Sequence, residues 1–166
     1  GAGMGQSREL QFRQAEPEDA PDVLGRKQAA IEATADTYSG AQIRAWRPTN
    51  GALPAFKQAI VNDQFVVLLA ETADGPAGYG VLNTDEARID AVFVAPEHAR
   101  EGLGSSLVGQ LETRGQMMGL SELTVVSSLN AQAFYESLGY EPFESRTRSI
   151  DDTDLEFVTV RKTLEG

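Results

Sequence analysis

A chain of 166 residues is about one domain long, and its 41% hydrophobic and 23% charged residues are ordinary for a globular protein. It has no cysteine, its one histidine (His98) cannot build a histidine-rich site alone, and no apolar run is long enough to span a bilayer, so neither a metal nor a membrane partner is expected. The net charge of -11, with 11 arginines against 3 lysines and no basic run, argues against nucleic acid as a partner. It also fits a surface adapted to high salt, where screening removes self-repulsion; a melting temperature that rises in molar KCl would mark such halophilic adaptation.

Gly1-Ala2-Gly3 ahead of Met4 reads as a tag scar, leaving residues 4–166 as a single domain, and no cleavable signal follows Met4, so a cytoplasmic protein is expected. Leu10 to Arg13 alternates as a short half-buried strand does. Glu16-Pro17-Glu18-Asp19 then starts a helix, with Val23, Leu24, Ala30 and Ile31 as its apolar face to about Ala35. Ser39 to Trp46 and Leu53 to Val61 are further helical pieces, parted by the breaker run Arg47 to Gly51.

After Asn62 the apolar period shortens to two, giving strands at Phe65 to Glu71, Gly78 to Asn83 and Arg88 to Val94 joined by tight turns, an antiparallel meander. A helix from Gly102 to about Met118 carries Leu103, Leu107, Leu111 and Met118 at near-fourfold spacing and ends at Gly119. Leu123 to Val126 is a short strand reached by that crossover and so parallel to the strand before it. Asn130 to Leu138 forms a last helix, and Tyr140 to Ser149 and Leu155 to Lys162 a final hairpin about Asp151 to Asp154. The order β-αα-βββ-α-β-α-ββ predicts an α/β fold with a mixed, mostly antiparallel sheet flanked by helices.

A strand, a short loop and a helix opening at Gly102-Leu103-Gly104 make an anion site. First-turn N–H groups lack intrahelical partners, the helix dipole adds positive charge, and glycine lets a phosphate approach the backbone. Ser105 and Ser106 add hydroxyls and Arg100 adds charge, while Glu101 is expected to turn to solvent. The same glycines would also serve to end a loop and allow close packing. A dinucleotide fingerprint fails because Leu107 stands where its third glycine belongs, and no Gly-Lys-Ser/Thr supplies a P-loop.

Ser127 to Tyr140, SSLNAQAFYESLGY, resembles the N-x-x-A-x-x-F-Y-E-x-x-G-[FY] signature of the GCN5-related N-acetyltransferases (GNATs), and the loop resembles their [QR]-x-x-G-x-[GA] acetyl-CoA motif after a strand ending V-x-P. Ala99 departs from that motif, standing where Gln or Arg belongs. The resemblance covers the chain after Met4 and implies the GNAT acyl-CoA N-acyltransferase fold, with acetyl-CoA as co-substrate. Backbone of Phe93 and Val94 would pair with the pantetheine arm, N–H groups from Arg100 to Ser106 would hold the pyrophosphate, Asn130 would bond the pantetheine region and Phe134 would flank it.

The activity implied is acetyl transfer to a primary amine, on a small molecule or peptide, by direct attack in a ternary complex. Tyr135 would act as general acid and a strand N–H near Val94 would steady the oxyanion. Asp90 is the candidate base: strict alternation puts it on one face with Val92 and Val94, in apolar surroundings that favour the neutral acid. Glu86 and a water chain are alternatives, and His98 reads as a surface residue. Tyr38-Ser39 and Ala45-Trp46 look like a stretch seen in some members, a packing element or substrate wall. The other class open to this sequence is a catalytically silent CoA-binding sensor or interaction domain. A homodimer through the late strands would use Phe143, Ile150 and Phe157, which would serve equally as core.

Overall fold

In this computed structural model the described residues are 10–32, 52–98 and 102–164. They form β1 (Gln11–Gln14), α1 (Ala20–Glu32), α2 (Ala52–Val61), β2 (Phe65–Thr72), β3 (Gly75–Asn83), β4 (Arg88–Val94), α3 (Leu103–Met117), β5 (Glu122–Ser128), α4 (Leu129–Ser137), β6 (Glu141–Ile150) and β7 (Thr153–Thr163). One sheet holds the strands in the order β1-β2-β3-β4-β5-β7-β6, and every neighbouring pair is antiparallel except β4 with β5. The crossover through α3 sets that parallel step, as the sequence predicts. Ser39 to Trp46 and the breaker run after it lie outside the described residues.

The expected helix at Glu16 begins instead as a 3-10 turn, Pro17–Asp19, with α1 following from Ala20. The Asp19 carboxylate explains the start: it accepts the Glu16 N–H at 2.8 Å and two N–H groups of Arg13 at 2.9 and 3.0 Å. Arg13 also donates to Glu71 on β2, so one guanidinium ties the first strand, the helix start and the neighbouring strand together. Its hydrogen bonds hold Asp19 below the usual carboxylate range.

Alternation along β2 sorts its side chains into two layers. Val66 and Leu68 join Leu82, Val108 and Leu111 under α3, while Val67 and Leu69 join Tyr79, Val81, Val23 and Ile60 under α1 and α2. Helix α4 continues the α3 layer across β5 and β7, where Tyr135 and Tyr140 pack on Val125, Val158 and Val160. The Tyr140 hydroxyl donates to Glu112 at 2.8 Å, and the Lys162 ammonium lies 3.2 Å from the same carboxylate. Burial first, then the charge of Glu112, pushes the Tyr140 hydroxyl far above its ordinary value.

Strand β6 is built differently. From Glu141 to Ser149 every side chain is exposed, and the strand bonds only to β7. The hairpin closes through Asp151 and Asp152, both at positive φ (52° and 62°), between the paired Ile150 and Thr153. No helix among the described residues is long and apolar enough to cross a membrane.

Candidate active site

Strands β4 and β5 pair at Arg88 with Thr124 and Ile89 with Val125, and then part. Beyond that point the β5-facing edge of β4 has no strand partner among the described residues, which leaves backbone groups for an extended ligand to satisfy. The gap holds a cavity of about 180 Å³ walled by Asp90, Val92, Val125, Ser127, Ser128 and Tyr135. Phe93 and Val94 are half-buried further along β4, across from Tyr79 and Gly78.

The glycine loop stands at the end of β4. Gly102 caps α3 at φ 76°, a left-handed conformation that costs a residue with a Cβ about 1–2 kcal/mol. A Cβ there would meet nothing within 4 Å, so the backbone angle, not crowding, asks for glycine. Gly104 has the opposite reason: a Cβ would come 3.1 Å from the Phe134 ring and 3.6 Å from Val94. Its absence lets the first turn of α3 sit against β4 and α4 at once.

The Ser106 N–H donates to the Gly102 carbonyl at 3.1 Å. The Ser106 amide is thus spent in the helix, and among the described residues the first-turn donors without an intrahelical partner are those of Gly102, Leu103, Gly104 and Ser105. Leu103 is buried by its side chain, and Ser105 and Ser106 are exposed. Ala99, Arg100 and Glu101 lie outside the described residues.

Tyr135 reaches the smaller cavity from α4, only 6% exposed and packed edge-on against Phe134 and Tyr140, with centroids 5.0 and 5.8 Å away. Burial pushes its hydroxyl up to about 12, so it keeps its proton through neutral pH.

Asp90 is not where strict alternation puts it. Ile89 pairs with Leu82 and Ala91 with Val81, so Asp90 is the extra residue of a β-bulge. Ile89 therefore joins the α3 layer together with Val92, while Ala91 and Phe93 go to the other face. Its carboxylate is held by Arg88 Nε and, at 3.4 Å, by Asn83 Nδ2. Polar partners replace the apolar setting expected for it.

A larger cavity of about 410 Å³ lies beside the first, between β4 and the last hairpin, and Arg88, Arg146, Arg148 and Phe157 line it. The two cavities share Ile89, Asp90 and Val126. Asp90 thus stands at their junction, with Tyr135 on one side and the arginines on the other.

A domain family described as the acetyltransferase (GNAT) domain matches residues 34–164. The chain belongs to the GNAT acetyltransferase family. YafP of Escherichia coli K12, named as an uncharacterized N-acetyltransferase, is 30% identical over 133 residues, 80% of this chain and 81% of YafP. The crystal structure of a GCN5-related N-acetyltransferase from Rhodopseudomonas palustris, named as a class-II aminotransferase, superposes with a TM-score of 0.83 at 30% identity, covering 93% of this chain and 95% of that one. PaiA N-acetyltransferase of Thermoplasma acidophilum, crystallised with coenzyme A, shares the fold at a TM-score of 0.73 and 17% identity, over 93% of this chain and 99% of its own.

The spacing of the GNAT signature itself corrects its register on this chain. Counting back from Phe134-Tyr135-Glu136, its alanine is Ala131 and its asparagine position is Ser128. Ser128 lines the smaller cavity and caps α4, its Oγ accepting the Ala131 N–H at 3.3 Å; Asn130 is exposed and lines neither cavity. Phe134 is half-buried against Gly104. Glu86 is exposed in the turn before β4, and Trp46 lies outside the described residues. Of the proposed dimer patch, Phe143 is 47% exposed beneath the Arg161 guanidinium at 4.7 Å, and Phe157 is a cavity wall. Sequence reasoning missed Arg88, Arg146 and Arg148; the signal was Arg146-Thr147-Arg148, two arginines that period two puts on one face of a strand.

Proposed function

We propose that this GNAT domain is an N-acetyltransferase that moves an acetyl group from acetyl-CoA to a primary amine within a ternary complex. The observation that carries it is the parting of β4 from β5 after Ile89 and Val125, with Tyr135 inside the gap and the uncommitted N–H groups of Gly102 to Ser105 at the end of the same strand. These groups fit a long ligand with an anionic end and an extended arm: helix N–H donors for a pyrophosphate, a free strand edge for amide groups.

Bound there, acetyl-CoA supplies an activated acyl thioester. The protein's own part is to hold two reactants together and manage two protons. The acceptor amine forms a C–N bond as the C–S bond breaks; the amine gives up one proton and the sulfur takes one. Tyr135, protonated and facing the gap, is placed to give the proton to sulfur. Asp90, at the junction of the cavities, is the carboxylate placed to take the proton from the amine. A β4 amide near Val94 serves the developing oxyanion.

Calorimetric titration with acetyl-CoA tests the first half, and thiol release with a panel of amines tests the second. Binding at micromolar Kd with amine-dependent release is expected. Replacing Tyr135 by Phe should lower kcat about 100-fold while leaving Kd for acetyl-CoA within a few-fold. Asp90→Asn should lower kcat/KM about 100-fold with the Kd for acetyl-CoA unchanged; an unchanged kcat/KM moves the base role elsewhere. Binding without release for every amine would identify a CoA-binding module instead.

A further inference from the structure

The chain is strongly acidic, yet among the described residues the cavity beside Asp90 is lined by three arginines and one carboxylate. That carboxylate, Asp90, is already engaged by Arg88. Arg146 pairs at 3.1 Å with Glu144, which does not line the cavity, and both side chains are about half exposed, so the pair is loosely held. Arg148 lies over the Phe157 ring at 5.5 Å, and among the described residues no other carboxylate lines the cavity to answer its charge. Stacking on an aromatic face fixes the plane of a guanidinium and leaves its edge N–H groups to grip an oxyanion in bidentate fashion.

Register explains how these groups meet. Arg146 is directly opposite Phe157 across the β6–β7 ladder and Arg148 is opposite Leu155, so both arginines rise on the face that carries Phe157. Arg88 comes to the same cavity from the start of β4, next to the residue at the cavity junction. A positive wall at the end of a cavity away from Tyr135 has no use for a polyamine, whose remaining charges it would repel.

Resting on the acetyltransferase reading above, we infer that the acceptor is an amine carrying an oxyanion, a carboxylate or a phosphonate, with the anion held by Arg148 and Arg146 and the amine directed to Asp90. The cavity of about 410 Å³ is within the usual range for a small-molecule site. The acceptor class is therefore amino acids and their phosphonate analogues rather than polyamines or aminoglycosides.

The test compares kcat/KM for matched amines: α- and ω-amino acids, the same compounds as carboxamides, aminoalkylphosphonates, spermidine and an aminoglycoside. Acids are expected to exceed their amides at least about tenfold, as loss of a charge-assisted hydrogen bond implies; a carboxylate or a phosphonate winning identifies which oxyanion is used. Arg148→Gln should bring the acid-to-amide ratio towards one by raising KM for acids, Arg148→Lys should restore part of it, and acetyl-CoA Kd should be the same in both variants. Arg148 is exposed on an edge strand, and an unshifted melting temperature checks that the variants fold. Amides or spermidine matching the acids, or Arg148→Gln lowering acid and amide equally, overturns the inference while acetyl-CoA turnover stands. No acetyl-CoA binding and no thiol release with any amine overturns the acetyltransferase reading, and this inference with it.

Discussion

Strands β3 and β6 both belong to the sheet that carries the site, and they are opposites. From Pro76 to Asn83 every residue of β3 is buried, whereas from Glu141 to Ser149 every residue of β6 is exposed. On the β3 side the site is made of backbone: a helix N-terminus, a strand edge and a glycine that a phenyl ring has to touch. On the β6 side it is made of side chains on a strand with one neighbour. The lesson is that the part proposed to hold the invariant co-substrate is locked into the core, while the part proposed to meet the acceptor can change without the fold noticing.

The sharpest way to break that comparison is by stability. Leu111→Ala removes a side chain with no exposure from the α3 layer and should cost about 3–5 kcal/mol in urea denaturation. Arg146→Ala, on β6, should stay within about 0.5 kcal/mol. Equal costs would mean that β6 is part of the core after all.

Alkaline pH separates the halves next. Tyr135 has a folded value of about 12 against an ordinary 10, so folding opposes its ionisation; the stability this represents is intact below about pH 10 and is lost as pH rises towards 12. Tyr135 alone should account for roughly 2–3 kcal/mol of that loss. Tyr140 moves in the same direction, and Tyr135→Phe should flatten the profile between about pH 10 and 12 without abolishing it.

Gly102→Ala should cost about 1–2 kcal/mol, because the left-handed angle is strained for alanine although space is open. Acetyl-CoA affinity should fall with it, as the first turn of α3 adjusts. The smallest effect has the opposite sign. Thr159 Oγ1 is buried without a hydrogen-bond partner among the described residues, so Thr159→Val should raise stability by about 1 kcal/mol, read as a higher melting temperature.

Much of the core half was legible in the sequence because its residues are constrained twice, by period and by type. Arg88 to Val94 reads as a strand to the residue, and Leu103, Leu107 and Leu111 mark the buried side of α3. The bulge at Asp90 was not legible: no glycine or proline marks it, and alternation carries on through Ile89, Ala91 and Phe93 as if nothing were inserted. Asn130 misled for a related reason, since an asparagine in the first turn of a helix looks like the motif residue, while Ser128 two positions earlier does the capping. The arginines of β6 were invisible as a group because charged residues on an exposed edge look like ordinary solvent-facing charges until β7 and β4 are placed beside them.

The bulge has one more consequence. The Asp90 side chain packs in no apolar layer and is held only by polar partners, Arg88 and Asn83, so substituting it should cost no more than those contacts and leave the fold intact. Deleting Asp90 should be tolerated too. With Ile89 already opposite Leu82 and Ala91 opposite Val81, loss of Asp90 alone would leave β4 a regular strand, with Ile89, Val92 and Val94 still on the α3 side and Ala91 and Phe93 still on the other. A chain shorter by that residue is expected to fold yet lack the carboxylate at the cavity junction, whereas a deletion one position to either side of the bulge would remove a packed side chain.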